Sequence, residues 1–216
     1  MTWSARLGVL VLAAVLLPAC ATPSAPPGRP SAADPGATEP ADAPLAAAPA
    51  APGAVIGQGT VLQVPGAPPE FCLGAVLESY PPQCSGPPIE NWDWSLAPQS
   101  ESASGVTWGA YAVTGTWNGA VFTRTGEPIP LSLYDALPFE DPRLAEGRRG
   151  PASPDELERI RQEILGAGGE SALGGELHDG YLTVTVVYDD GSVQTRMDAE
   201  YGADVVVVLS ALRSPA

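Results

Sequence analysis

The chain has no lysine; all ten of its basic residues are arginine. That absence removes the amine a phosphate loop sets against a nucleotide, the amine a Schiff-base enzyme condenses with a carbonyl, and the base of a Ser-Lys dyad. Histidine is nearly absent too. The single one, His178, lies in the polar stretch Glu176 to Gly180. No Gly-x-Ser-x-Gly elbow accompanies it, so a hydrolytic triad has no framework and a solvent-exposed loop position is expected. One histidine and the one cysteine pair, Cys72 and Cys84, fall short of a structural zinc site unless carboxylates are recruited. Asp189-Asp190-Gly191 begins like a calcium loop, but the ligand spacing does not continue, and a turn is expected there. Positive charge is scarce overall. Twenty-five acidic residues against ten basic ones give a formal net charge of -15, which repels phosphate backbones and makes nucleic acid a poor partner. No catalytic residue, metal ligand or cofactor is assigned from the sequence.

The N-terminal apolar run is short. Arg6 precedes Leu7 to Leu17, a stretch of signal-peptide length that cannot span a bilayer as an anchor. It ends in Leu17-Pro18-Ala19-Cys20, which resembles the lipobox of bacterial lipoproteins, although Pro18 stands where Ala or Ser is more usual. The resemblance implies that residues 1–19 are a removed signal peptide. It also implies that the Cys20 thiol carries a diacylglyceryl group and that the mature chain sits on the outer face of the cell membrane. Losing Arg6 takes the charge from -15 to -16. No basic patch follows Cys20, so membrane attachment rests on the lipid alone. With Cys20 lipidated, Cys72 and Cys84 are the candidates for a disulfide, which an oxidising exterior permits; two free thiols are the alternative. Closing that loop is worth roughly 3 kcal/mol in the chain-entropy model.

Residues 20–54 are rich in Ala, Pro, Ser and Gly and carry no aromatic residue, a composition that cannot bury enough surface to fold. They read as a disordered tether. At about 3.1 Å per residue, an extended Pro-rich chain of this length reaches roughly 100 Å from the membrane.

The folded sequence divides into residues 55–135 and 136–216, as two units or as one domain. In the first, Thr60 to Val64 alternates like a strand, and the prolines around Cys72 and Cys84 make a stiffened loop without regular structure. Trp108 to Thr125 reads as a hairpin with a two-residue type I′ turn at Asn118-Gly119. That turn pairs Trp117 with Ala120, Gly115 with Phe122 and Val113 with Arg124, and it places Tyr111, Val113, Trp117 and Phe122 on one face. Gly115 leaves room for the Phe122 ring. A small barrel- or sandwich-like β unit is expected, an oligonucleotide/oligosaccharide-binding barrel being one option.

In the second part a Pro/Glu/Arg-rich connection over residues 136–152 leads to a helix. Ser153 caps it, Pro154 opens it, Glu156 completes a capping box, and Leu157, Ile160 and Ile164 form its apolar stripe. Gly166 to Gly169 ends it. Tyr181 to Tyr188 and Ser192 to Met197 read as a second hairpin around Asp190-Gly191, with Leu182, Val184, Val186 and Tyr188 sharing a face with Val193 and Met197. Val205 to Leu209 reads as a central strand buried on both faces. The fold class is α+β: a β-rich unit, then a helix packed on an antiparallel or mixed sheet.

Two ideas attach to the aromatic residues. Glu90 and Asp93 lie among Trp92 and Trp94, where desolvation would raise a carboxyl pKa as a general acid requires. Alternatively, Trp92, Trp94, Trp108 and Trp117 present faces to sugar rings or to another protein, with Trp92 and Trp94 the candidate contacts, or they fill the core. Phe71-Cys72-Leu73-Gly74, Tyr80-Pro81-Pro82-Gln83-Cys84, Trp92-Asp93-Trp94, Trp108-Gly109 with Tyr111, and Gly115-Thr116-Trp117 together resemble an uncharacterised group of exported proteins from high-GC Gram-positive bacteria. That resemblance covers about a third of the chain and implies export and a Cys72 to Cys84 bridge, with no activity. The sequence therefore implies a lipid-anchored, non-enzymatic surface module whose partners are the membrane and a cell-wall glycan or an exported protein. A carboxylate-dependent hydrolase of wall polysaccharide and a disulfide-loop inhibitor or assembly partner are the alternatives.

Overall fold

The computed structural model describes residues 48–135, 141–166 and 172–215. The segment read as a signal peptide, Cys20, most of the stretch read as a tether, the start of the 136–152 connection and the glycines after Gly166 lie outside these residues.

Valine, aromatic and glycine residues alternating over a long stretch make two long strands. β1 (Ala54–Gln63) and β5 (Val106–Trp117) pair antiparallel along their length, from Ala54 opposite Thr116 to Gln63 opposite Thr107. β1 thus extends well before the Thr60 start read from the sequence. Short strands β2 (Glu70–Cys72), β3 (Ile89–Glu90), β4 (Glu101–Ala103), β6 (Phe122–Arg124) and β7 (Ile129–Pro130) complete a seven-stranded sheet with the path β2-β1-β5-β6-β3. β4 and β7 also pair with β5. β3 runs parallel to β6, and the sheet curls until its ends meet. The Phe71 N–H donates to Pro87 O at 2.8 Å and the Ile89 N–H to Pro69 O at 3.0 Å, joining β3 back to β2. Alternation sends Val61, Phe71, Tyr111, Val113, Trp117 and Phe122 into this curl, where they form one core.

The β5–β6 hairpin keeps the expected faces and changes register. Trp117 pairs with Phe122 and Gly115 with Arg124, so four residues form the loop instead of two. The cause is Asn118. Its Oδ1 accepts the N–H groups of Ala120 at 2.9 Å and Val121 at 2.8 Å, a side-chain cap that widens the turn. A shift of two residues preserves side-chain parity. The Phe122 ring still lies on Gly115, where a Cβ would stand 2.6 Å from the ring. The last residues assigned to the tether are docked as well: Trp117 Nε1 donates to Pro49 O at 2.9 Å, and Ala48 is buried in the same core.

The second part contains α1 (Pro154–Gly166), β8 (Ala172–His178), β9 (Tyr181–Val186), α2 (Ser192–Tyr201) and β10 (Val206–Ser210). Ser153 caps the helix as read, its Oγ accepting the Glu156 N–H at 3.4 Å, and Leu157, Ile160 and Ile164 are buried. The hairpin is elsewhere. It joins β8 to β9 through Asp179 and Gly180, both at positive φ (41° and 88°) as a type I′ turn requires. Asp190-Gly191 instead opens α2. Asp189 Oδ1 accepts the Val193 N–H at 2.9 Å and Oδ2 the Gln194 N–H at 3.3 Å, so its carboxylate satisfies free donors of a helix start. Val193 and Met197, four residues apart, are one helix face rather than positions on a strand. They pack with α1, Leu182, Val184 and Val186 in a second core, whereas Tyr188 packs on the first.

β10 is an edge strand, parallel to β9 in the order β10-β9-β8, and not central. Its burial misled the sequence reading because a side chain covers the free edge. Gln194 Nε2 donates to Val206 O at 2.9 Å while Gln194 Oε1 accepts the Val208 N–H at 2.9 Å, as a neighbouring strand would. The two cores are physically joined. Val187 and Leu212 belong to the first, and Ile56 and Arg213 exchange both backbone hydrogen bonds, at 2.7 and 3.0 Å.

Candidate functional site

Trp92 and Trp94 follow a left-handed residue, Asn91 (φ 57°), that turns the chain after β3. Their rings meet edge to face with centroids 5.4 Å apart, and Trp92 lies 5.3 Å from Tyr111. Both are half-buried against the first core. Trp94 Nε1 donates to Gln63 Oε1 at 2.6 Å, and the buried Trp92 Nε1 has no partner among the described residues. The two rings thus spend much of their surface on the barrel. Asp93 between them is exposed, and its Oδ1 accepts both the Ser95 hydroxyl at 2.7 Å and the Ser95 N–H at 2.8 Å. These donors hold its carboxyl below the ordinary range, opposite to what a general acid requires. Glu90 is exposed and accepts the Thr123 hydroxyl at 3.4 Å.

Trp108 occupies a different place. Even-numbered β5 positions face out of the curl where Tyr111, Val113 and Trp117 face in. Trp108 packs there with Leu62 of β1 and with Cys72, which is bonded to Cys84 with a Cα–Cα distance of 5.9 Å. The disulfide anchors the proline-rich loop beside this indole. Tyr80 from the loop stands edge-on to Trp108, centroids 5.3 Å apart, and is itself 72% exposed.

Beside Trp108 lies a half-open cleft of about 370 Å³. Thr60, Trp108, Gly109 and Ala110 from the paired β1 and β5 form part of it. Pro82 comes from the disulfide loop, Gln99 from the approach to β4, Glu101 from the start of β4, and Ser132 from the turn after β7. Five separate chain segments meet there. Gln99 is held at φ 60°, a conformation that non-glycine residues adopt at a cost and that recurs at binding sites. Its Oε1 takes the Ser132 hydroxyl at 2.8 Å, fixing the two side chains against each other. Glu101 stands opposite Trp108 in the β4–β5 register. None of these cleft residues is basic.

A second cavity, about 320 Å³, lies where the β8–β9 turn meets the start of α1. Leu157 and Leu177 contribute apolar surface, and Arg149, His178 and Asp179 contribute exposed polar groups. His178 is the last residue of β8 rather than part of a loop, and it is exposed as expected. Among the described residues, no group of three or more His, Cys, Asp or Glu side chains is placed to hold a metal ion. None of the described helices is long and apolar enough to cross a membrane.

Sequence reasoning singled out Trp92 and Trp94 and passed over the cleft. One signal was within reach: the parity that puts Tyr111, Val113 and Trp117 inside necessarily puts Trp108 outside. The polar partners Thr60, Gln99, Glu101 and Ser132 come from segments whose meeting depends on the curl of the sheet, and no local pattern announces them. The chain matches no protein-family model, no curated protein and no solved structure.

Proposed function

We propose that the protein is a lipid-anchored module on the outer face of the cell membrane that binds its ligand non-covalently in the cleft over Trp108. The observation that carries the reading is this cleft: four chain segments meet β5 beside the largely buried Trp108, one braced by a disulfide and one held in a left-handed turn. A concave site where a few fixed polar groups converge is a usual form of a small-ligand site. The anchor has support of its own. Cys72 and Cys84 are bonded to each other, which leaves Cys20 as the third cysteine of the chain, inside the lipobox-like sequence.

Two measurements test the reading. Cys20→Ser should move the protein from the membrane fraction to the medium and remove lipid label; unchanged fractionation would refute the anchor. Incubated with isolated wall material, the protein should be retained without releasing soluble fragments. Fragment release would replace binding by carboxylate-dependent hydrolysis.

A second reading has one specific observation in its favour. The disulfide loop exposes Leu77 (62%) beside Tyr80, apolar side chains on a stiffened scaffold, as a loop that inserts into another exported protein would. Leu77→Ser would then abolish capture of that protein and leave retention on wall material intact.

A further inference from the structure

We infer that the ligand of the Trp108 cleft is a neutral oligosaccharide. This inference rests on the cleft being the binding site and adds its chemistry. The exposed part of the floor is small, so an apolar ligand would gain little contact there while covering Thr60, Gln99, Glu101 and Ser132 without hydrogen bonds, a cost that such groups do not tolerate. An anionic ligand would meet the Glu101 carboxylate with no basic side chain among the cleft residues to offset it. A sugar satisfies both constraints. Its hydroxyls donate to the Glu101 carboxylate and to Ser132 Oγ, accept from the Thr60 hydroxyl, and exchange either way with the Gln99 amide, while its C–H groups need only the narrow strip of Trp108 that is exposed (8%). The hydrogen bond between Gln99 and Ser132 fixes two of these groups before a ligand arrives, which reduces the ordering cost of binding. Pro82 closes one side only while the Cys72–Cys84 bond holds its loop.

The test is a titration of the full-length protein in detergent, followed by tryptophan fluorescence and calorimetry, with four probes. Two are neutral tetraoses, β-1,4-linked glucose and β-1,4-linked N-acetylglucosamine; trilysine is the cation and trigalacturonate the anion. At least one neutral tetraose should bind and the two charged probes should not. Glu101→Gln exchanges a charged acceptor for a neutral one and should weaken tetraose binding about tenfold; Ser132→Ala should weaken it severalfold. Both side chains are exposed, so the melting temperature should not move and misfolding is separated from lost contacts. Binding of trilysine that disappears in Glu101→Gln would overturn the sugar and leave the cleft standing. Binding of trigalacturonate, or of no probe, would overturn the neutral sugar; retention on wall material then decides the broader reading independently. Tetraose affinity unchanged in both variants would place the site elsewhere and overturn the sugar assignment together with the cleft.

Discussion

The two cores of this protein are filled by different means. The first packs Phe71, Tyr111, Trp117 and Phe122 inside a tightly curled sheet, with glycines where rings must lie against backbone. The second packs Leu, Ile, Val and Met from two helices against three strands. An aromatic core inside a curl depends on the shape of each ring and on the residues that make room for it. A helix-on-sheet core depends mainly on apolar periodicity, which many sequences satisfy. The difference should be visible in how each responds to substitution.

The largest effect is expected at Phe122. Its ring is fully buried, stands 5.1 Å from Phe71 and lies on Gly115. Phe122→Ala should cost about 4 kcal/mol in urea unfolding. Ile160→Val, on the α1 stripe of the second core, should cost about 1 kcal/mol. Equal costs after allowance for the volume removed would show that the aromatic core is no more exacting than the helical one.

Leu212 tests whether the cores are separate at all. It follows the last strand of the second part yet is fully buried in the first core, beside Gly57 of β1. Leu212→Ala should destabilise by about 3 kcal/mol. Among the described residues the tryptophans all lie in the first part and both α-helices in the second. Tryptophan fluorescence and helical circular dichroism therefore follow different cores. Their unfolding curves should coincide in the wild type and shift together in the variant. Curves that separate would make the cores independent units.

A smaller effect is expected at Gln194, where a side chain does the work of a strand. Gln194→Ala leaves Val206 O and Val208 N–H without their partner at an edge that α2 keeps from water, and should cost about 2 kcal/mol. Hydrogen exchange at Val208 should accelerate while exchange in β5 does not. Equal acceleration in both strands would show that the loss spreads through the joined cores.

Legibility in the sequence follows the same division. Parity along β5 and the α1 stripe are local properties, so the inward faces and the first helix could be read directly. Three Asx-Gly pairs could not be ranked, because each does something different. Asn118-Gly119 makes a wide loop since the Asn118 side chain caps it. Asp179-Gly180 makes the tight hairpin turn. Asp190-Gly191 begins a helix because Asp189, one residue earlier, supplies the cap. The dipeptide alone carries none of this. The edge position of β10 was concealed in the same way, by a glutamine twelve residues from its partner. The cleft was least legible, since it is made by the curl of the sheet bringing distant polar residues to the outward face of Trp108.

The smallest expected effect contrasts two exposed carboxylates. Glu158 on α1 accepts hydrogen bonds from Arg161 Nε at 2.9 Å and Nη2 at 2.8 Å and from the Gln162 amide, which bring its pKa from 4.5 down to about 2. Asp93, in the first part, is lowered mainly by the neutral donors of Ser95. In both cases the folded pKa lies below the unfolded one, so each carboxylate contributes stability above its unfolded pKa and loses it as pH falls through the folded value. For Glu158 the loss runs from about 4.5 down to about 2. Glu158→Gln should therefore lower the melting temperature slightly at pH 7, with the effect shrinking below about pH 4.5 and gone only below about pH 2. Salt should shrink its pH 7 effect, because an exposed pair with a cation is screened. Asp93→Asn should show the same direction with pH and little response to salt, since its principal donors carry no charge. If salt erased both effects equally, the Asp93 carboxylate would owe its low pKa to Arg124 at longer range rather than to Ser95, and the turn after β3 would be held by charge rather than by hydrogen bonds.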